Sequence, residues 1–429
     1  MIEAIVAILI FGGSLYLVFS EKLNRTITSL VGAMLMIGIG LVFGFYSEEK
    51  AIQAIDFETL GLLLGMMMLV AMLEPTGFFQ YLAVWTGHLS RGNPVRLFVL
   101  LGTVTTILSM FLDNVTTVVL IAPVTILISE ILGVAPVPLL VAEAILSNTG
   151  GVATLVGDPP NVLIGSAAGF TFNDFLTHAL PVVIVVWLTA LVLLRYLFRA
   201  ELDAPPANAD AIMNMNPVEA LEDRKTAKRI LIVLSAAILL FFFQELLHLT
   251  PSFIALGATS VALVWIRPNV QKLFERIEWS VLIFFGGLFV MVGGLDATGV
   301  LRAVARLIEN AQGVPTIVLG VLVIWGVAIL SAVVDNIPIT IALIPVLNHL
   351  STAGINITPL WWALAFGAGF GGNGTIIGST ATVVVASLSE RTSTPITSEL
   401  WNKRGLPVML TTCVVASILY VLLFALFEH

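Results

Sequence analysis

Two Asp-Asn pairs, Asp113-Asn114 and Asp335-Asn336, stand 222 residues apart in apolar sequence, and nine residues after each Asn comes a proline, Pro123 and Pro345. A carboxylate at membrane depth costs about 2.5–3.5 kcal/mol on insertion scales, so one with no partner is read first as functional. No Lys or Arg lies close in sequence to Asp113, Asp335 or a third acid, Asp158. Such groups are expected to hold a cation or a proton. The plainer role is helix capping, with Asp and Asn accepting backbone N–H bonds and Thr116 and Thr117 continuing the cap. Capping and ion binding are compatible.

A second kind of element follows each pair. Gly150 to Asn161 reads GGVATLVGDPPN, and one register slip aligns its start with GGNGTIIG, Gly371 to Gly378. Glycines, two prolines and a charge within an apolar run must unwind a helix there. The freed carbonyls can coordinate a cation, and the next half-helix begins with its positive end toward the break. The second copy has no Asp-Pro-Pro. It offers Asn373, Thr375, Ser379 and Thr380 as oxygen ligands, against Asn148, Thr149, Gly150, Thr154, Asp158 and Asn161 in the first.

These motifs need elements that carry them to the middle of a bilayer. With 58% apolar residues, 11% charged and a mean hydropathy of +1.05, the 429-residue chain cannot bury its apolar surface in a water-soluble fold. Apolar runs near 3–20, 27–45, 59–73, 178–198, 229–247, 252–266, 279–295 and 406–427 have about the length that spans a hydrocarbon core. The first run lacks a basic leader and is read as a retained helix. The net charge of -8 is scattered and no basic stretch suits nucleic acid. The single cysteine, Cys413, excludes an intrachain disulfide or a multi-thiolate metal site and is read as filler in the last span.

The repeat extends beyond the motifs, since the 222 offset also sets Glu74-Pro75-Thr76-Gly77 on Asp296-Ala297-Thr298-Gly299, and Asp56-Phe57 on Glu278-Trp279. Basic residues favour the cytoplasmic side. With the N-terminus outside, 16 of the 19 Lys and Arg residues fall on that side, Lys22 and Arg25 among them, leaving Lys50, Arg302 and Arg306 outside. The count works only with residues 97–131 and 315–350 as re-entrant hairpins from opposite faces, with the Asp-Asn pairs at their tips; a rival layout with ordinary spans in their place would spread the basic residues across both faces. The expected architecture is an all-α polytopic membrane protein of two inverted repeats, 1–199 and 229–429. Each has five spans, one hairpin and a broken helix at the midplane (138–168 and 358–388). A polar, mobile cytoplasmic linker, 200–228, joins them, and the C-terminus lies outside. Glu74 and Asp296 are read as interfacial. Glu143, Glu245 and His248 are secondary candidates for a proton path, and His88, His178, His349 and His429 are assigned to loops or interfaces.

The strings DNVTTVVLIAPV, SNTGGVATLVGDPPNVLIG, DNIPITIALIPV and GAGFGGNGTIIGSTATVVVA resemble the ion transporter superfamily, in particular its arsenite permease and pink-eyed-dilution P protein branch. The chain is also similar, more distantly, to divalent anion/sodium symporters, whose tips carry Ser-Asn-Thr. The resemblance covers nearly the whole chain. It implies a secondary transporter in the cytoplasmic (inner) membrane, working by an elevator-like movement, with tips and broken-helix loops as the substrate and coupling-ion sites. The partners it implies are the bilayer, a small inorganic solute and H+ or Na+. It allows a homodimer and a separate soluble ATPase subunit, with no cofactor, no resident metal and no nucleic acid; Na+ would bind at the same loops. Acidic tips repel a dicarboxylate, so the reading settles on proton-coupled efflux of arsenite or antimonite, arsenite being mainly the neutral trihydroxide. A sodium/proton antiporter and a sodium-coupled anion transporter are the near alternatives. An intramembrane aspartyl protease is the distant one, because its two aspartates must meet across one water. Otherwise no enzyme activity is expected.

Overall fold

The computed structural model describes residues 2–19, 23–309, 314–392 and 394–428, with only the backbone of residues 19 and 307–309. Lys22 and His429 lie outside the described residues. Twenty helices carry the fold among the described residues, with shorter turns between them, and no strand is present there. The first half contains α1 (Ile2–Phe19), α2 (Arg25–Phe43), α3 (Glu48–Ala54), α4 (Phe57–Leu73), α5 (Phe78–Ser90), α6 (Pro94–Ser109), α7 (Asn114–Leu132), α8 (Val137–Gly151), α9 (Pro159–Ala168) and α10 (Leu180–Leu197). The second half contains α11 (Arg224–Phe242), α12 (Pro251–Ile266), α13 (Val270–Glu275), α14 (Trp279–Ala297), α15 (Val300–Glu309), α16 (Thr316–Val333), α17 (Asn336–Thr352), α18 (Thr358–Gly371), α19 (Thr380–Ser389) and α20 (Ser398–Leu422). For α1 and for α3 through α9, the starting residue and that of the helix ten labels later differ by 221 or 222.

Packing repeats as the order does. Helix α2 lies on α14 while α4 lies on α12; α7 meets α19 while α9 meets α17; α6 packs on α8 while α16 packs on α18. Exchanging the halves turns each pairing into its partner, as a two-fold relation requires, and α10 on α20 maps onto itself. The α2/α14 pair runs parallel. Thr26 donates to the Ser280 carbonyl at 2.9 Å near its start, and farther along Gly287 packs on Ser29 and Gly294 on Met36. The α4/α12 pair is parallel too, with Ser252 N donating to Glu58 Oε1 at 2.8 Å and Thr259 to the Gly65 carbonyl at 2.7 Å.

Short polar side chains start the helices. Asp56, Asp113 and Asp335 cap α4, α7 and α17 through their carboxylates, each such cap being worth roughly 1 kcal/mol. Pro123 and Pro345 sit inside α7 and α17 at matching places, where each removes one helical N–H bond.

Seven helical segments are long and apolar enough to cross a membrane by length and composition, and Asn114–Leu132 and Thr316–Val333, each an arm of an expected hairpin, are among them. Large apolar side chains face outward, Val42 at 82% exposure and Leu422 at 73%, which suits lipid and not water. This is a multi-pass membrane protein. The linker 200–228 packs on the first half: Ala207 N donates to the Leu132 carbonyl at 2.9 Å, Ile212 is buried, and His88 Nε2 lies 3.0 Å from the Met213 carbonyl oxygen.

Candidate functional site

Helices α7 and α17 begin at the two Asp-Asn pairs, and α9 and α19 begin just past the two glycine-rich breaks, so four helix N-termini converge between the halves. The convergence depends on glycine at specific points. A Cβ on Gly157 would stand 2.6 Å from the carbonyl oxygens of both Gly151 and Ser109, and one on its mate Gly378 would stand 2.8 Å from that of Gly372 and 3.0 Å from that of Ser331. Each broken loop lies directly on the end of the helix before its half's tip. Thr154 holds the same arrangement by donating to the Met110 carbonyl, and its mate Thr375 donates to that of Ala332. Asn161 closes the first loop on itself, with Nδ2 donating to the carbonyls of Gly151 at 3.0 Å and Thr154 at 2.8 Å.

Asp158 is the centre. It precedes α9 as the N-cap residue yet makes no side-chain cap bond, and its carboxylate receives the two tip amides instead. Asn114 Nδ2 lies 3.4 Å from Oδ1 and Asn336 Nδ2 lies 3.2 Å from Oδ2. Two repeat-related asparagines thus meet on one carboxylate that is 2% exposed. The residue 221 positions on is Ser379, which donates to Asn148 Oδ1 at 3.0 Å. The network continues through buried amides: Asn114 to Asn148 Oδ1 at 2.9 Å, Asn148 to Asn373 Oδ1 at 3.0 Å, and Asn373 to Thr149 Oγ1 at 3.3 Å. Buried amides need partners, and these form a chain that crosses between the halves.

The two tip aspartates differ in company. Asp113 accepts from Thr116 N at 2.9 Å and from the Thr116 hydroxyl. Asp335 accepts from Ile337 N at 3.3 Å and from Thr380 Oγ1 at 2.9 Å, and Arg25 Nη1 lies 3.6 Å from its Oδ2. A cavity of about 30 Å³ is bounded by Asp113, Asn114, Asp158, Asp335, Asn336, Ser379 and Thr380, with Arg25, Met67 and Glu278 from α2, α4 and the start of α14. That volume holds a water or a bare ion. A second space of about 360 Å³, lined by Asn24, Arg25, Asp335, Ile377 and Thr380 among others, adjoins it.

Some sequence candidates stand apart from this cavity. Thr117 is fully buried with a hydroxyl that has no bonding partner among the described residues, and Gly150 packs tightly on Thr106. Glu143 is buried against Thr125, and Glu245 and His248 are exposed. Glu74 and Asp296, read as interfacial, each have a partner: Arg276 at 3.2 Å and His349 at 2.7 Å. Two charged cavity residues escaped the sequence reading as site groups. Arg25 registered only as a marker of sidedness and Glu278 only as the repeat partner of Asp56, because nothing local ties either to a tip 310 or 165 residues away.

Known proteins place this arrangement. The citrate transporter family, CitMHS, matches residues 15–367. A 46 kDa membrane protein of Mycobacterium leprae is 37% identical over 97% of both chains, and an uncharacterized transporter of Mycobacterium tuberculosis is 38% identical over the same shares. The human P protein is 32% identical over 96% of this chain, which spans 59% of that longer protein. In fold, the chain is similar to the Alcanivorax borkumensis YdaH transporter at 17% identity, with a TM-score of 0.57 over 94% of this chain and 98% of that one. The chain belongs to the CitMHS citrate transporter family, within the ion transporter superfamily, and is a membrane transporter.

Proposed function

We propose that the chain is a cation-coupled secondary transporter of the cytoplasmic membrane whose transport site is the cavity between the two tips, with room for an ion, together with the larger space that adjoins it at Asp335 and Thr380, and that its exported solute is arsenite or antimonite, exchanged for protons. The observation that carries this reading is the convergence of Asn114 and Asn336 on the single buried carboxylate of Asp158, beside Asp113, Asp335 and Glu278. Four carboxyls face one guanidinium in the cavity wall. That balance favours a cation or a neutral hydroxylated solute and opposes a free citrate trianion. Arsenite's O–H groups match the acceptors present, namely carboxylates and amide oxygens, and the unwound loops add carbonyls. Inward movement of a proton against outward movement of a neutral solute transfers one charge, so a membrane potential contributes about 2.3 kcal/mol per 100 mV.

Parallel packing supports the inverted layout, with repeats 1–199 and 229–429 and the linker in the cytoplasm. Helices α2 and α14 both begin beside basic residues, Arg25 and Arg276, whereas α4 and α12 both begin on the opposite face in that scheme. The cavity then opens toward the cytoplasm. An elevator-like step would carry the tips along the α2, α4, α12 and α14 group to the outer face. The test is arsenite accumulation in everted vesicles under an imposed proton gradient, with and without sodium. Uptake driven by the gradient in sodium-free buffer is the expected result, and undiminished coupled uptake in an Asp113→Asn, Asp335→Asn double variant would sink the coupling role. A sodium-induced pH change with no arsenite flux would favour sodium/proton exchange at the same carboxyls.

A further inference from the structure

Arg25 occupies a place that helix stability does not explain. It is the first residue of α2, where a cation opposes the positive end of the helix dipole. What it faces accounts for it. Its Nη1 donates to Thr380 Oγ1 at 2.7 Å, Thr380 in turn donates to Asp335 Oδ2 at 2.9 Å, and the guanidinium stands 3.6 Å from that same carboxylate oxygen. Phe284 of α14 fixes the other side, with Cζ 5.6 Å from the ring centroid. Asp335 and Thr380 therefore present two hard oxygens to a positive charge carried on an element from the other half of the chain. The related tip offers the contrast, since Asp113 bonds its own Thr116 and no Lys or Arg pairs with it among the described residues.

The guanidinium also stands in a wall, because Arg25, Asp335 and Thr380 line both the 30 Å³ cavity and the 360 Å³ space beside it. We propose that Arg25 is a tethered cation filling a monovalent-cation subsite made by Asp335 and Thr380, and that it closes the inner cavity until a diffusible cation or a proton takes its place. The inference deepens the transport reading by giving the site a built-in competitor. A guanidinium and a sodium ion cannot share the same pair of oxygens, so each arrival at Asp335 displaces Arg25 and opens the way to Asn336 and Asp158. No basic residue near the tips in sequence suggested this, because α2 reaches Asp335 only through packing against α14.

The experiment reads access and not flux, so it is separable from any question of substrate. Met67, on the α4 wall of the inner cavity, is replaced by cysteine in a full-length Cys413→Ala background, and its rate of modification by a small charged thiol reagent is measured in sodium-free buffer at neutral pH. The expected result is slow modification with Arg25 present, unchanged in Arg25→Lys, and faster by about tenfold or more in Arg25→Gln, the scale of losing one hydrogen bond to a charged group. Asp335→Asn, which frees the guanidinium instead of removing it, is expected to open the cavity equally and guards against misfolding of the Arg25→Gln protein. Sodium should speed modification of the parent if it is the competing cation; acid alone doing so would assign the competitor as a proton. Equal rates in parent, Arg25→Gln and Asp335→Asn, or rapid modification of the parent without added cation, would overturn the proposal. Rapid modification of Arg25→Gln with no arsenite transport by the parent would retire the substrate and leave the subsite standing.

Discussion

The two broken-helix loops are built alike and charged differently. Gly157 and Gly378 let each loop touch the end of the helix before its own Asp-Asn pair, α6 or α16, and Thr154 and Thr375 make the same bond there. Then the halves part: α9 follows Asp158, which takes an amide from each tip, whereas α19 follows Ser379, which donates to Asn148. Duplication supplies a two-fold scaffold, and point differences at its centre supply one charge where symmetry would have placed two. A pair of facing carboxylates would repel strongly in that space. A carboxylate opposite a serine gives one acceptor to which both halves can donate.

Asp158→Asn should therefore have the largest effect, removing the charge that both tip amides share. With hydrogen bonds to charged groups worth about 1.5–3 kcal/mol each, coupled transport in vesicles should fall roughly 100-fold or more. Retention of near-normal rates would mean that the common acceptor is packing and not chemistry. Gly157→Ala comes next, since a methyl at 2.6 Å from two carbonyl oxygens forces the loop off the end of α6. It should destabilise by about 1–3 kcal/mol, read as a lower thermal midpoint in detergent. Gly378→Ala, with contacts at 2.8 and 3.0 Å, should cost less, and the reverse order would show that the second loop is the more rigid. Ser379→Ala removes one neutral bond worth about 1 kcal/mol, so a loss near fivefold in solute affinity is expected, measured from the concentration dependence of uptake. Glu143→Gln sets the lower bound. That side chain is buried against Thr125 away from the cavity, and an amide keeps an acceptor for the hydroxyl. Transport within about twofold of the parent is expected, and a large loss would add a carboxyl the cavity does not contain.

Much of the helix layout was readable from residue types. The breaks near 152–158 and 372–379 follow from clustered glycines in otherwise apolar runs, with Pro159 and Pro160 after the first break only, and the starts of α7 and α17 at Asn114 and Asn336 follow from Asp caps. Those signals are local, because glycine leaves its own backbone least restrained and proline removes one N–H, so several of them close together favour a break, whereas a single proline such as Pro123 or Pro345 is carried inside a helix. The candidate site was legible in part for the same reason. Asp113, Asp158 and Asp335 stand out as charges without sequence neighbours of opposite sign, yet Asp335 has a cation beside it in space, Arg25. Glu278 was likewise indistinguishable from any interfacial acid.

The sequence by itself determined a membrane protein of duplicated halves, the positions where helices break and the acids that must find partners, since hydropathy, repeat offset and cap chemistry are properties of short stretches. The tertiary structure alone decided which residues share a partner: Asn114 and Asn336 on Asp158, Asn148 on Asn373, and Arg25 on Asp335. These pairs join residues 44 to 310 positions apart in the chain. Their distances are set by how α2 packs on α14 and α7 on α19, and that packing is fixed by the complementarity of whole helix faces, which no local pattern in the chain encodes.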